Sequence, residues 1–115
     1  MITTVHVYRT ARYNRHATVQ DRNVYELTFT YRLNHDEPMT LEDVANFFFD
    51  ATNNPTHDQE MEHPMFDAEP TEAVKLLKEW RKCQQCSLSV SDRINVGKDV
   101  LECDSFGWLA MKCEA

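Results

Sequence analysis

Near the start of the chain, polar and apolar residues alternate twice, and each alternation predicts a strand. Thr3, Val5 and Val7 alternate with Thr4, His6 and Tyr8, a period of two built from residues of good β-propensity. In the second run, Val24 to Leu33, Tyr25, Leu27, Phe29, Tyr31 and Leu33 fall on one face. Glu26, Thr28, Thr30 and Arg32 fall on the other. The two strands are expected to pair antiparallel. The polar stretch between them, Arg9 to Asn23, reads as a solvated hairpin loop.

From Thr40 the period becomes that of a helix. Leu41, Val44, Ala45 and Phe48 repeat at i, i+3, i+4 and i+7. Thr40 stands at the N-cap with Asp43 at the reciprocal capping-box position, and Met39 and Val44 are spaced as a hydrophobic staple. Phe47 and Phe49 widen the apolar stripe beyond one core face, so one of them is expected at the surface. Asn53-Asn54-Pro55 ends the helix near Thr52. Thr56 to Glu69 reads as a long loop, a kind of segment that often carries function in small domains. A second helix opens at Pro70-Thr71-Glu72 with Ala73, Leu76, Leu77 and Trp80 as its apolar stripe, and it closes around Cys83. Lys75, Lys78, Arg81 and Lys82 cover its outside and complement its C-terminal dipole.

Ser87 to Met111 returns to short alternating runs with glycines at the turns. Ser87, Ser89 and Ser91 are expected on one strand face, opposite Leu88 and Val90. Asp92 is placed to bond backbone amides of the turn after it. Gly97 supplies a positive φ for a hairpin, and a tight loop over Asp104–Gly107 sets Cys103 opposite Trp108, folding the indole onto the sheet. The chain is therefore expected to be a single α+β domain over residues 1–115. It should hold a mostly antiparallel sheet of about five strands, two near the N-terminus and three near the C-terminus, with two helices packed on one face.

Composition narrows the function classes. The 115 residues are 42% hydrophobic, which is globular and of single-domain size. The start of the chain lacks a basic segment followed by an apolar run, and no run approaches the roughly 20 apolar residues of a membrane span. A cytoplasmic protein with reduced thiols and no membrane association is expected. The net charge of −7 argues against general nucleic-acid binding. Its distribution is uneven. Residues 1–33 carry five Arg and two acids, residues 34–74 carry eleven acids with no Lys or Arg, and residues 75–115 carry seven bases and six acids. The middle block reads as a solvated acidic surface, or as a face that docks on a basic partner.

Three candidate chemistries compete with docking. Arg9, Arg12, Arg15 and Arg22 interleave with Tyr13, a combination that can hold phosphates and stack on bases. The 56–69 segment holds His57, Asp58, Glu60, Glu62, His63 and Asp67, which could ligate a divalent ion, but the five-residue gap between the histidines matches no helical or finger spacing. Cys83 and Cys86 suggest half a zinc site, with Cys103 and Cys113 as the rest. Strand geometry opposes this, because Trp108, opposite Cys103, lies five residues from Cys113, roughly 16 Å along a strand, and thiolates sit about 2.3 Å from a shared zinc. No metal or other cofactor is expected. A nucleophilic serine in the 87–91 run would need a base within about 3 Å, and no nearby His offers itself.

The segment Ser87-Leu88-Ser89-Val90-Ser91-Asp92, followed by Asp104-Ser105-Phe106-Gly107-Trp108, resembles the motif of the YodL-like family, which also occurs within large polyvalent proteins of phages and conjugative elements. That pattern reads Ser-Leu/Met-Ser-Val-Gly/Ser-Asp, then a glycine turn, then Asp-Ser-Phe/Val-Gly-Phe/Trp. The chain departs from it at Cys86 and at Arg93, where an aliphatic residue is usual. The resemblance implies a phage or mobile-element setting and carries no chemistry. The combined expectation is a non-enzymatic protein-binding module that inhibits a host protein with a basic surface, such as a CRISPR-type defence component. Its contacts would come from Asp58, Glu60, Glu62, Asp67, Phe47 and Phe49. The alternatives are a nucleic-acid-associated accessory module using the loop 9–23, and a small metal-dependent enzyme using His57–Asp67.

Overall fold

The computed structural model describes residues 1–14, 16–63, 69–83, 85, 87–105 and 107–111. Along the chain these form β1 (Ile2–Arg9), β2 (Glu26–Asn34), α1 (Leu41–Asn53), α2 (Pro55–Glu62), α3 (Glu72–Lys82), β3 (Arg93–Val96), β4 (Asp99–Asp104) and β5 (Gly107–Met111). The strands make one sheet in the order β2-β1-β3-β4-β5, with each neighbouring pair antiparallel. This is the α+β arrangement that the alternations imply. The first strand is interior to the sheet, so the C-terminal strands add onto the N-terminal hairpin through β1 and β3.

The helices form where their local chemistry directs. Thr40 Oγ1 accepts from the Asp43 amide at 3.1 Å, and Asp43 Oδ2 accepts from the Thr40 amide at 3.1 Å, completing the capping box. Thr71 caps α3 by accepting from the Val74 amide. Val44, Ala45, Phe48 and Ala51 of α1 and Leu76 and Trp80 of α3 meet Val5, Val7, Phe29, Leu33, Ile94 and Leu101 of the sheet in one core. Trp80 is 1% exposed and stands edge-on to Phe29, with ring centroids 5.1 Å apart.

Among the described residues three helices are present where two were expected. Residues 56–62, read as the start of a loop, belong with Pro55 to α2. Asn54 explains the miss, because it serves two helices: its amide closes α1 onto Asp50 O, while its side chain accepts from the Thr56 amide. Pro55 then occupies the first helical position, where a missing N–H does no harm. The proline ends one helix and starts the next. No residue of α2 is buried, so no apolar period announced it.

Two further expectations change in the sheet. The register between β1 and β2 slips after Val7↔Phe29, and Tyr8 pairs with Leu27. Thr28 is thus an extra residue, a β-bulge that reverses the facing of everything before it. Leu27, expected on the same face as Phe29, is 54% exposed, and Tyr25 joins Arg93 and Glu102 on the face turned away from the helices. Ser87 to Asp92 is not a strand but a looped segment ending in a tight turn, with Asp92 N donating to Ser89 O at 3.1 Å. Ser91, third in that turn, has φ +82°, the left-handed backbone that a type II turn requires there.

The C-terminal hairpins follow expectation. Val96 pairs with Asp99 around Gly97 at φ +60°, and Cys103 pairs with Trp108. Cys103 is buried among hydrophobic residues, and burial pushes its thiol up. Trp108 is only half-buried on the outermost strand, its Nε1 donating to Asn46 Oδ1 at 3.0 Å. Cys86, Phe106 and Cys113 lie outside the described residues.

Candidate functional site

Behind the surface, one buried charge pair organises the end of the sheet. Arg9, expected in a solvated loop, is the last residue of β1 and is 0% exposed. Its guanidinium meets the Asp92 carboxylate twice, through Nε to Oδ1 at 3.0 Å and Nη2 to Oδ2 at 2.8 Å. Nη1 donates to Gln85 Oε1 at 3.4 Å, and Nη2 also donates to Ser87 O at 2.9 Å. The Trp80 and Tyr13 rings flank it. Burial pushes the Asp92 carboxyl up, against the pull of Arg9 and of the Ser89 amide. That amide reaches Asp92 Oδ2 at 2.8 Å, so Asp92 bonds the turn before it rather than the one after.

The Ser-Leu-Ser-Val-Ser-Asp segment is latched from several sides. Asn53 Nδ2 donates to Leu88 O, Ser87 Oγ donates to Thr52 O at 2.8 Å, and Thr52 Oγ1 accepts from the Leu88 amide. Tyr25 OH donates to Ser91 O at 2.7 Å. The Ser87 and Ser89 hydroxyls each donate to a backbone carbonyl. That is a structural use of hydroxyls, distinct from the serine–base contact of nucleophilic catalysis.

The expected contact residues lie on α1 and α2. Asp58 is on α2 rather than in a loop, and it is ion-paired with Arg81 of α3. Glu60 and Glu62 are exposed on α2. Phe49 is 40% exposed, whereas Phe47 is half-buried against the core. Asp67 lies outside the described residues. The outward face of α1 carries Glu42, Asn46, Phe49, Asp50 and Asn53, all exposed, and the charged members of this helix are all acidic. His57 Nε2 and Asp50 Oδ2 lie 2.8 Å apart, and this hydrogen bond holds Asp50 below the usual carboxylate range. Trp108, hydrogen-bonded to Asn46, extends the same surface onto the sheet edge.

The two competing sites fare differently. His57, Asp58, Glu60 and Glu62 are dispersed along α2, and no group of three or more His, Cys, Asp or Glu suited to a metal is present among the described residues. Of the arginine stretch, Arg9 is buried, Arg12 and Arg22 are exposed around a cleft, and Arg15 lies outside the described residues. The structural role of Arg9 was missed because the partner that neutralises it lies 83 positions away. Among the described residues, no helix is long and apolar enough to cross a membrane. No family model, curated protein or solved structure matches this chain.

Proposed function

We propose that this chain is a small acidic protein-binding module that acts by occupying a basic surface of another protein, without catalysing a reaction. The observation that carries this reading is Phe49, 40% exposed on a helix face whose charged residues are all acidic. An exposed aromatic ringed by polar groups is the pattern of an interface hot spot, and surrounding carboxylates steer a basic partner toward it. Trp108 beside Asn46 offers a second aromatic at the rim. The motif resemblance supports the narrower form of the reading: a phage or mobile-element protein that inhibits a host protein, such as a CRISPR-type defence component, in the host cytoplasm.

Affinity capture from a bacterial lysate with mass-spectrometric identification supplies the partner, and the purified pair supplies the test. Phe49→Ala should weaken binding by about 2 kcal/mol, the scale of a hot-spot truncation. A Glu42→Lys, Glu60→Lys, Glu62→Lys variant should slow association, with the difference shrinking as salt shortens the Debye length to roughly 8–10 Å. All four positions are exposed, so folding should be preserved. Wild-type affinity of both variants, at low and high salt alike, would show that this surface is not the interface.

A further inference from the structure

One part of this acidic molecule is locally basic. A cleft of about 460 Å³ opens on the sheet face away from the helices, lined by Arg12, Arg22, Arg93, Tyr25 and Glu102 with neutral neighbours. Its volume falls in the range of about 300–1,000 Å³ common for small-molecule sites. Glu102 is the single acid in its wall, and it is already engaged, accepting from Arg93 Nε at 3.1 Å and from Tyr25 OH at 3.1 Å. The Arg93 guanidinium lies 3.9 Å from the Tyr25 ring centroid. Arg12 rests against the Tyr13 ring. Among the described residues, neither Arg12 nor Arg22 has a carboxylate partner. Both guanidinium groups line the one cleft, so an anion there meets two cations that no carboxylate of the described residues neutralises.

We propose that this cleft binds the phosphate group of a small phosphate monoester, such as a mononucleotide or a sugar phosphate. Arg12 and Arg22 bring the planar, paired donors that match phosphate oxygens. Arg93 is a third donor already ordered by Glu102 and Tyr25, so it loses little freedom when a ligand arrives. The β-bulge at Thr28 is what makes the site, because it carries Tyr25 to this face. A compact ligand with one charged group suits the molecule better than a polyanion, since the chain outside the cleft is strongly negative.

The test is titration of the full chain, followed by calorimetry and by amide and arginine Nε resonances, with four probes: inorganic phosphate, a nucleoside 5′-monophosphate, a hexose phosphate and the phosphate-free nucleoside. Saturable binding of the phosphorylated probes, with shifts at Arg93 Nε and in residues 10–25 and none from the nucleoside, supports the proposal. Whichever phosphate ester binds tighter then identifies the source. Arg12→Ala with Arg22→Ala should lower affinity about tenfold or more, and unchanged thermal unfolding of that variant would show the loss to be local. The proposal is overturned if no phosphorylated probe saturates at millimolar concentration, if the nucleoside binds as well as its monophosphate, or if the double variant binds like wild type.

Discussion

Arg9 and Asp92 meet in the core with side chains 0% and 1% exposed, whereas Arg81 and Asp58 meet at the surface, 48% and 36% exposed. The same two residue types make both pairs, and their consequences differ because water differs. At the surface the two charges are solvated whether or not they touch, so their contact adds little beyond what it loses in side-chain freedom. In the core neither charge can return to water without unfolding. The Arg9–Asp92 pair also carries three neighbours with it, through Gln85, the Ser87 carbonyl and the Ser89 amide. It therefore specifies a geometry, while the Arg81–Asp58 pair decorates one.

The largest effect is expected from breaking the buried pair on one side only. Asp92→Asn removes the carboxylate that meets the buried guanidinium twice, and removal of one partner of such a pair typically destabilises by about 3–5 kcal/mol. A double replacement, Arg9→Met with Asp92→Leu, should destabilise less than Asp92→Asn alone, since no charge is then stranded. Denaturant midpoints of the variants decide the matter. A double replacement worse than the single would mean that the pair stabilises outright rather than specifying position.

A smaller effect, of opposite sign, tests the turn that presents Asp92. Ser91 holds φ +82°, and a side chain in the left-handed region is disfavoured by about 1–2 kcal/mol relative to glycine. Ser91→Gly should therefore raise stability by about 1 kcal/mol, after allowing for the added freedom of the unfolded chain. A rise in melting temperature checks it. A fall would mean that the serine side chain contributes more here than its backbone strain removes.

How much of this could be read from residues alone depends on how far apart the determining residues lie. The strands of the first hairpin, the Thr40–Asp43 capping box, the α3 stripe around Trp80 and the Gly97 turn are all set by residues within a few positions of one another. These were legible. The errors have long-range or aperiodic causes. Arg9 looks like a loop residue until Asp92 is brought to it. Leu27 and Tyr25 obey the alternation, but the bulge at Thr28 reverses their facing. The helix α2 buries nothing, so its only signal is the Asn54-Pro55 cap, which also reads as a stop. Of the candidate interface, the acidic block and one exposed phenylalanine of α1 were visible. The basic outer face of α3 was visible too, but not that its Arg81 engages Asp58 across 23 positions.

The smallest expected effect belongs to that surface pair. Asp58→Asn removes the carboxylate facing Arg81, yet both groups remain in contact with solvent, so Arg81 is rehydrated rather than stranded. Exposed pairs of this kind are worth about 0–1 kcal/mol, and less as salt screens them. The variant should unfold within about 0.5 kcal/mol of wild type in dilute buffer and be indistinguishable from it near 1 M salt, where the Debye length is roughly 3 Å. Asp92→Asn should keep most of its defect under the same conditions, because salt does not enter the core. Parallel denaturation of the two variants across a salt series is the direct measurement. A loss for Asp58→Asn as large as that for Asp92→Asn would erase the contrast and make α2 a structural brace on α3. In that case Glu60 and Glu62 would be the only expected contact residues of α2 free to meet a partner.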